Sequence, residues 1–183
     1  MSEALYDIPV KTIDGRDTFL DTWRGKVLLV VNVASKCGLT PQYEGLGKLY
    51  ADKRADGLVV LGFPANNFGA QEPGTNSEIA EFCTTQFGIG FPMFEKISVK
   101  GADQHPLYRR MIAAHPHATA KPGSDFKAKL AGYGVKQDDE GDVLWNFEKF
   151  LIARNGEVVA RFASDVEPQD PILRQAVEQE LAS

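Results

Sequence analysis

Cysteine is scarce in this sequence. Its 183 residues include two cysteines, and neither starts a C-x-x-C pair or lies at metal-ligand spacing from another Cys or His. A disulfide framework is therefore excluded, and the spacing argues against a structural zinc site. The three histidines, at positions 105, 115 and 117, are expected to be surface residues. We therefore predict that the protein has no metal site.

Long hydrophobic runs and an excess of positive charge are also missing. No stretch approaches the roughly 20 apolar residues of a membrane span, and the start of the chain, MSEALYDIPV, lacks the basic and apolar regions of a signal peptide. Lys and Arg total 20 against 25 for Asp and Glu, a net charge of −5. Binding to nucleic acid or to a membrane is not expected, and we predict a cytoplasmic protein with a small substrate.

The length and composition fit one folded domain. Hydrophobic residues make up 43% of the chain and charged residues 25%, close to the averages for globular domains. A chain of 183 residues leaves little room for a second full core. We predict a single domain over residues 1–183.

The first half of the chain reads as strand, helix, strand. The apolar, β-branched run VLLVVNV at 27–33 does not alternate, which predicts a strand buried on both faces. Thr40 is the expected N-cap and Pro41 the first residue of the following helix, which ends before Gly57. A second buried strand at 58–63 makes the pair parallel, with a right-handed crossover.

Two more elements are predicted on either side of this unit. Residues 11–20 predict a small N-terminal hairpin that turns at Asp14 and Gly15. A further helix is expected to begin near Asn76 and to end at Gly88.

The C-terminal part completes an α/β fold. Residues 147–162 contain two strand-like runs joined across Asn155 and Gly156, which predicts an antiparallel hairpin that makes the sheet mixed. A terminal helix is expected after Asp170, and residues 115–142 read as an inserted surface segment with a weak helical core at 126–130. The predicted fold is a central mixed sheet flanked by helices.

Cys37 is the first candidate for chemistry. It lies just after the first core strand and three residues before Thr40, where open α/β sheets place ligands and catalytic groups. Backbone N–H groups, the helix dipole and Lys36 all favour a thiolate there. The alternative is a small hydrophobic residue that fills a strand–helix corner. Thr40 occupies the place of the second cysteine of a disulfide oxidoreductase, so a thioredoxin-type dithiol is absent.

Five blocks of sequence resemble the glutathione peroxidase family, and most closely its bacterial thioredoxin/glutathione peroxidases. They occur in the family's order over most of the chain: NVASKCGLTPQY at 32–43, GFPANNFGAQEPG at 62–74, FPMFEKI at 91–97, HPLY at 105–108 and WNFEKFL at 145–151. The resemblance implies a thioredoxin-like fold and a peroxidatic Cys37. It also implies that Cys37 acts in a tetrad with Gln71, Trp145 and Asn146.

The tetrad is chemically reasonable. A thiolate that attacks an O–O bond needs stabilisation, and the departing oxygen needs a proton. The side-chain amides of Gln71 and Asn146 and the indole of Trp145 are neutral donors, so neither a cofactor nor a metal is required. Each residue also has a structural interpretation: Trp145 as a core anchor, Asn146 as the start of a strand and Gln71 as an exposed loop residue.

Cys83 has two interpretations. Its place in an apolar helical stripe with Ile79, Phe82 and Phe87 indicates a buried core residue. The resemblance to the family instead implies the resolving cysteine of thioredoxin-dependent members. A disulfide needs Cα atoms within about 7 Å, so a helical Cys83 could meet Cys37 only after partial unwinding of its helix.

The sequence departs from the family pattern after the second strand. Ala65 and Asn67 stand where many members have Cys and Gln, which leaves Cys83 as the candidate partner of Cys37. The arginines that contact glutathione in the family have no clear counterpart here. Thioredoxin is therefore expected as the reductant in preference to glutathione.

These expectations combine into one functional hypothesis. The chain is predicted to be a monomeric thiol peroxidase that reduces hydrogen peroxide and organic hydroperoxides through Cys37 and Cys83. The alternative from another class is a peroxide-sensing relay, in which the same cysteines pass a disulfide to a partner protein. Turnover with thioredoxin alone favours the enzyme, and efficient transfer to one partner with slow recycling favours the relay.

Overall fold

A four-stranded mixed sheet forms the centre of the fold. The computed structural model describes residues 5–183; residues 1–4, the start of the segment interpreted as lacking a signal peptide, lie outside the described residues. The strands are β1 (Pro9–Lys11), β2 (Asp17–Phe19), β3 (Val27–Val33), β4 (Leu58–Pro64), β5 (Lys149–Ile152) and β6 (Val158–Phe162). The helices are α1 (Gln42–Lys53), α2 (Asn76–Phe87), α3 (Pro106–Ala114), α4 (Phe126–Gly132) and α5 (Pro171–Leu181).

The sheet has the order β4-β3-β5-β6. β3 and β4 are parallel, with Val27 opposite Leu58, whereas β5 runs antiparallel to both β3 and β6. β1 and β2 form a separate antiparallel pair. The predicted mixed sheet, the parallel crossover and both hairpins are confirmed.

The central strand β3 separates two apolar clusters. Every residue of β3 is buried, and because successive side chains point to opposite faces, Leu28 and Val30 lie in one cluster and Leu29 and Val31 in the other. The first cluster is covered by α3 and the β1–β2 hairpin. The second is covered by α1, α2 and α5, and it also contains Cys37 and Cys83.

The predicted start of α1 is wrong by one residue. The helix begins at Gln42, Pro41 occupies the N-cap position, and no side chain caps it. Thr40 does not cap the helix, because its hydroxyl donates to the backbone oxygen of Ala34 and accepts from the backbone N–H of Cys37. Tertiary hydrogen bonds within the Cys37 loop therefore outweigh the local capping preference.

Helix α2 begins and ends where its capping residues predict. Thr75 is its N-cap and forms a capping box with Glu78, the arrangement that best satisfies free N–H groups at a helix start. Gly88 ends the helix in the left-handed conformation at φ 57°, which a residue without Cβ adopts at little cost. The predicted start and end of this helix are confirmed.

Helix α3 is missing from the sequence-based prediction, although its signals are present. His105 is its N-cap and accepts from the N–H of Leu107 through Nδ1, and Pro106 is the first helical residue. His105 is half-buried, so its expected place on the surface is wrong. The helix buries Leu107, Tyr108 and Met111 against the sheet.

The inserted segment contains the predicted short helix, α4, and is fastened to the sheet by Arg161, which also forms a buried ion pair. Arg161 of β6 donates to Glu148 through Nε at 2.8 Å and through Nη2 at 2.7 Å, and both side chains are 2% exposed. The same guanidinium binds the backbone oxygens of His115 and Gly141, one at each end of the insertion. None of the helices between residues 5 and 183 has the length and apolar character needed to span a membrane.

This ion pair predicts a large effect on stability. Substitution Arg161→Met leaves the Glu148 carboxylate buried without its partner, so the free energy of unfolding should fall by about 3–5 kcal/mol. Urea denaturation measures the change. The control Lys11→Gln removes the exposed Lys11–Asp17 pair and should cost at most about 1 kcal/mol. Equal effects of the two substitutions would contradict this account of the ion pair.

Candidate active site

Cys37 lies in the loop that follows β3, at the carboxyl edge of the sheet. Its side chain is 8% exposed. The loop is held closed by the Thr40 hydroxyl, which is 2.9 Å from the Cys37 nitrogen and 2.8 Å from the Ala34 oxygen. The backbone N–H of Leu39 donates to Cys37 Sγ at 3.3 Å. Across residues 5–183, this N–H is the one hydrogen-bond donor on the sulfur.

Gln71 reaches the Cys37 loop from the segment after β4. Its backbone oxygen accepts from the N–H of Lys36 at 3.0 Å, which ties it to the residue before Cys37. Gly69 and Ala70 precede it with φ values of 63° and 51°, a tight turn that aims Gln71 back toward the sheet edge. Its side chain is half-buried.

Asn146 is fully buried and bonds directly to Gln71. Its side-chain N–H group donates to Gln71 Oε1 at 3.0 Å. Because the Gln71 oxygen is occupied in this way, the amide NH₂ of Gln71 is the end left to donate. The Asn146 amide thus contacts Gln71 and not the sulfur, and its own oxygen has no hydrogen-bond partner.

Trp145 packs beside these residues. Its ring lies 5.7 Å from that of Phe68, and it contacts the apolar cluster that contains Cys37. The structure therefore brings Cys37, Gln71, Trp145 and Asn146 to one edge of the sheet. Two of them, Gln71 and Asn146, share a side-chain hydrogen bond.

Asn32 positions Trp145 and Asn146, and sequence reasoning missed it. Its amide donates to the Trp145 oxygen at 3.1 Å and accepts from the N–H of Glu148 at 3.1 Å. Its backbone oxygen accepts from Phe147, which has a φ of 67°. One feature of the sequence could have identified it. Asn32 is an amide inside the otherwise apolar strand β3, and a buried amide requires hydrogen-bond partners.

Cys83 lies in α2 and is 2% exposed. It belongs to the same apolar cluster as Cys37, and both thiols are free. Burial raises the pKa of the Cys83 thiol to about 11; the neighbouring Tyr43 hydroxyl lowers this pKa and the charge of Glu72 raises it. The thiol is therefore protonated at neutral pH.

Glu72 is a second residue that the sequence did not single out. It follows Gln71 in a polar loop but is 1% exposed. Burial raises the pKa of its carboxyl group above the usual value, and Ser35, Lys96 and Lys36 partly offset the shift. No sequence signal distinguishes it from an exposed loop glutamate. Across residues 5–183, no three His, Cys, Asp or Glu side chains are grouped so as to hold a metal ion.

Comparison with known proteins relates this chain to peroxidases. The glutathione peroxidase family model matches residues 5–112. The chain is 48% identical to thioredoxin/glutathione peroxidase BtuE of Escherichia coli (strain K12) over 182 residues, which cover 100% of each chain.

Two solved structures are similar in fold. The crystal structure of Trgpx in its apo form has a TM-score of 0.69 and 35% identity over 98% of this chain and 96% of that one. A thiol:disulfide interchange protein of the thioredoxin family from Chlorobium tepidum TLS has a TM-score of 0.61 and 16% identity, over 95% and 92% of the two chains. The predicted thioredoxin-like fold is confirmed.

The Thr40 contacts predict the stability of the Cys37 loop. Substitution Thr40→Val removes a hydroxyl that serves two buried backbone groups, so the free energy of unfolding should fall by about 1–3 kcal/mol. The matched control Thr40→Ser keeps the hydroxyl and should retain most of the stability. Urea denaturation of both variants provides the comparison. If Val and Ser lowered the stability equally, the hydroxyl would not be what holds the loop.

Proposed function

The chain belongs to the glutathione peroxidase family and is a thiol-dependent peroxidase, and from this premise we propose that Cys37 is the residue that reduces the peroxide. The observation that carries the proposal is its place at the carboxyl edge of β3, beside the hydrogen-bonded pair of Gln71 and Asn146. A thiolate at that edge receives the N–H of Leu39. Such a donor stabilises negative charge on sulfur.

The first half-reaction follows from these groups. The Cys37 thiolate attacks one peroxide oxygen, the S–O bond forms as the O–O bond breaks, and Cys37 becomes a sulfenic acid. The other oxygen leaves as water or as an alcohol once it is protonated. We assign stabilisation of this departing oxygen to the Gln71 amide and the Trp145 indole, both of which are donors. Asn146 orients Gln71 through their shared hydrogen bond.

Cys83 is the proposed resolving residue. Its thiol attacks the sulfur of the Cys37 sulfenic acid, a disulfide forms, and the hydroxyl leaves as water. Two observations support this assignment: Cys83 is the other cysteine of the sequence, and it packs in the same apolar cluster as Cys37.

Disulfide formation requires movement of α2. Both sulfurs are buried, and Cys83 is held within the helix. The second half of α2 is suited to opening, because Thr84 and Thr85 donate their hydroxyls back to the oxygens of Ala80 and Glu81, a pattern that weakens helices. Thr84 and Thr85 are also exposed, so these two residues add no buried packing that opposes unwinding. The packing that must be given up is that of Cys83 and of Phe82 and Phe87 against Tyr43.

Thioredoxin is the proposed reductant, with glutathione as the alternative. An intramolecular disulfide is a suitable substrate for a dithiol, which can attack one sulfur and then release itself. The name of the E. coli relative includes both thioredoxin and glutathione. Unwinding of α2 would make Cys83 the more accessible sulfur for this attack.

We further propose that the protein works as one domain and as a monomer in the cytoplasm, where reduced thiols persist. Among residues 5–183, the exposed large hydrophobic side chains are three: Phe19, Tyr133 and Val159. They provide little apolar surface for a stable interface between subunits.

Removal of the Cys37 sulfur should abolish activity. A Cys37→Ser variant lacks the thiolate nucleophile, so peroxide consumption with thioredoxin, thioredoxin reductase and NADPH should fall to the background rate. The assay follows NADPH oxidation with hydrogen peroxide and with an organic hydroperoxide. Substantial remaining turnover in the folded variant would show that another residue attacks the peroxide.

Removal of the Cys83 sulfur should stop only the second half of the cycle. A Cys83→Ser variant should form the Cys37 sulfenic acid, which a dimedone adduct detects by mass, but it should not turn over with thioredoxin. Glutathione, a monothiol that can reduce a sulfenic acid without a resolving cysteine, serves as the comparison reductant. Sustained thioredoxin-driven turnover would instead make Cys83 a core residue.

A further inference from the structure

A cavity lies between the Cys37 loop and α2. Ser35 and Lys36 line it on the Cys37 side, and Ile79 and Phe82 of α2 line it on the other side. Glu72 is part of its wall. The cavity therefore occupies the space between the segments that carry the two cysteines.

The carboxyl group of Glu72 lacks a hydrogen-bond partner on one of its oxygens. Its Oε2 atom is buried without a hydrogen-bond partner. The ammonium group of Lys96, which lies nearby, donates instead to the backbone oxygens of Glu72 and Gly74 at 3.0 and 2.6 Å. Buried polar atoms are almost always paired, so an open carboxylate oxygen beside a functional site calls for an explanation. It is free to accept a proton.

Cys83 is a neighbouring group that needs such an acceptor. Ile79, in the cavity wall, precedes Cys83 by one helical turn on the same face of α2, and helical side chains lean toward the helix N-terminus. The Cys83 thiol thus lies next to the cavity, within electrostatic range of Glu72. In the packed helix, burial raises the pKa of this thiol to about 11. The thiol is therefore protonated when α2 begins to move, and it must lose that proton before or during its attack on Cys37.

We propose that Glu72 accepts the proton of the Cys83 thiol as Cys83 attacks the oxidised Cys37, an inference that rests on the resolving role proposed above. The S–H bond of Cys83 breaks as the S–S bond forms, and the S–O bond of the sulfenic acid breaks. Glu72 holds the thiol proton and passes it to the departing hydroxyl, which leaves as water. The sulfenic sulfur is reduced and the Cys83 sulfur is oxidised, so no further oxidant or reductant is needed.

The surroundings of Glu72 suit this role. Lys36 and Lys96 favour its charged form, Ser35 lies beside it, and burial disfavours the charge. The Tyr43 hydroxyl, which lowers the pKa of the Cys83 thiol, neighbours the same sulfur. Burial, the largest of these effects, makes the carboxyl group a stronger base than an exposed glutamate, which favours general base catalysis.

The test separates a proton acceptor from a static negative charge. Substitution Glu72→Gln preserves shape and removes the base, so the rate of disulfide formation at pH 7 should fall at least about tenfold relative to the rate of Cys37 oxidation. If Glu72 acted only through its charge, its removal would lower the thiol pKa and the disulfide would form faster. Rapid acid quench and intact mass after one equivalent of hydrogen peroxide measure both steps in one experiment.

Glu78 provides the matched control. It lines the same cavity but is exposed and serves in the capping box of α2, a position that glutamine also fills. Glu78→Gln should leave the rate of disulfide formation unchanged within about twofold. A rate in Glu72→Gln that is unchanged or raised, or an equal loss in both variants, would overturn the proposal.

The wild-type pH profile tests the same proposal without a variant. With Glu72 as the base, the rate of disulfide formation should level off once the carboxyl group is ionised, at a pH set by the raised pKa of that carboxyl group and not by the thiol pKa of about 11. A rate that continued to rise in proportion to hydroxide toward pH 11 would overturn it, including in the case that Glu72→Gln does not fold. If wild type formed no disulfide between Cys37 and Cys83, the resolving role itself would fail, and this outcome is distinct from both others.

Discussion

The hydrogen bonds of Asn32 are the constraint on which the site depends. This buried amide in β3 fixes the backbone of Trp145 and Glu148, and its own backbone oxygen holds Phe147. Two distant parts of the chain are thereby locked together, and Cys37 follows five residues later in the same strand-to-loop segment. An amide in a dry strand is costly unless it is fully paired, so the same bonds that stabilise the sheet also set the geometry of the site.

The two thiols lie in different structural settings. Cys37 is anchored in a loop by Thr40 and by backbone bonds, which favours a fixed position for reaction with a small peroxide. Cys83 lies inside α2 as a buried, protonated thiol, which in the proposed cycle keeps it unreactive until that helix opens. Access to Cys83 then depends on opening of one helix, so in this account the conformational step links oxidation of Cys37 to reduction by a partner dithiol.

Most of the fold could be predicted from the sequence, because its elements carry strong local signals. The apolar run of β3, the Asn155-Gly156 turn and the capping residue of α2 each determine structure over a few residues. The helix α3 was overlooked although His105 and Pro106 mark its start. The predicted N-cap of α1 was wrong because the Thr40 hydroxyl bonds to the backbone of Ala34 and Cys37 instead. No local sequence pattern reveals these contacts.

The site could be predicted only in part. Resemblance to a family nominated Cys37, Gln71, Trp145, Asn146 and Cys83, whereas composition and spacing alone nominated Cys37. Asn32 and Glu72 emerge from the three-dimensional structure, since their importance comes from burial and from partners far away in sequence. The most direct test of the account is treatment of the reduced protein with one equivalent of hydrogen peroxide, followed by intact mass and peptide mapping. The expected result is loss of two hydrogens and a Cys37–Cys83 disulfide. An added oxygen that persists on Cys37, with Cys83 unmodified, would contradict the two-cysteine cycle.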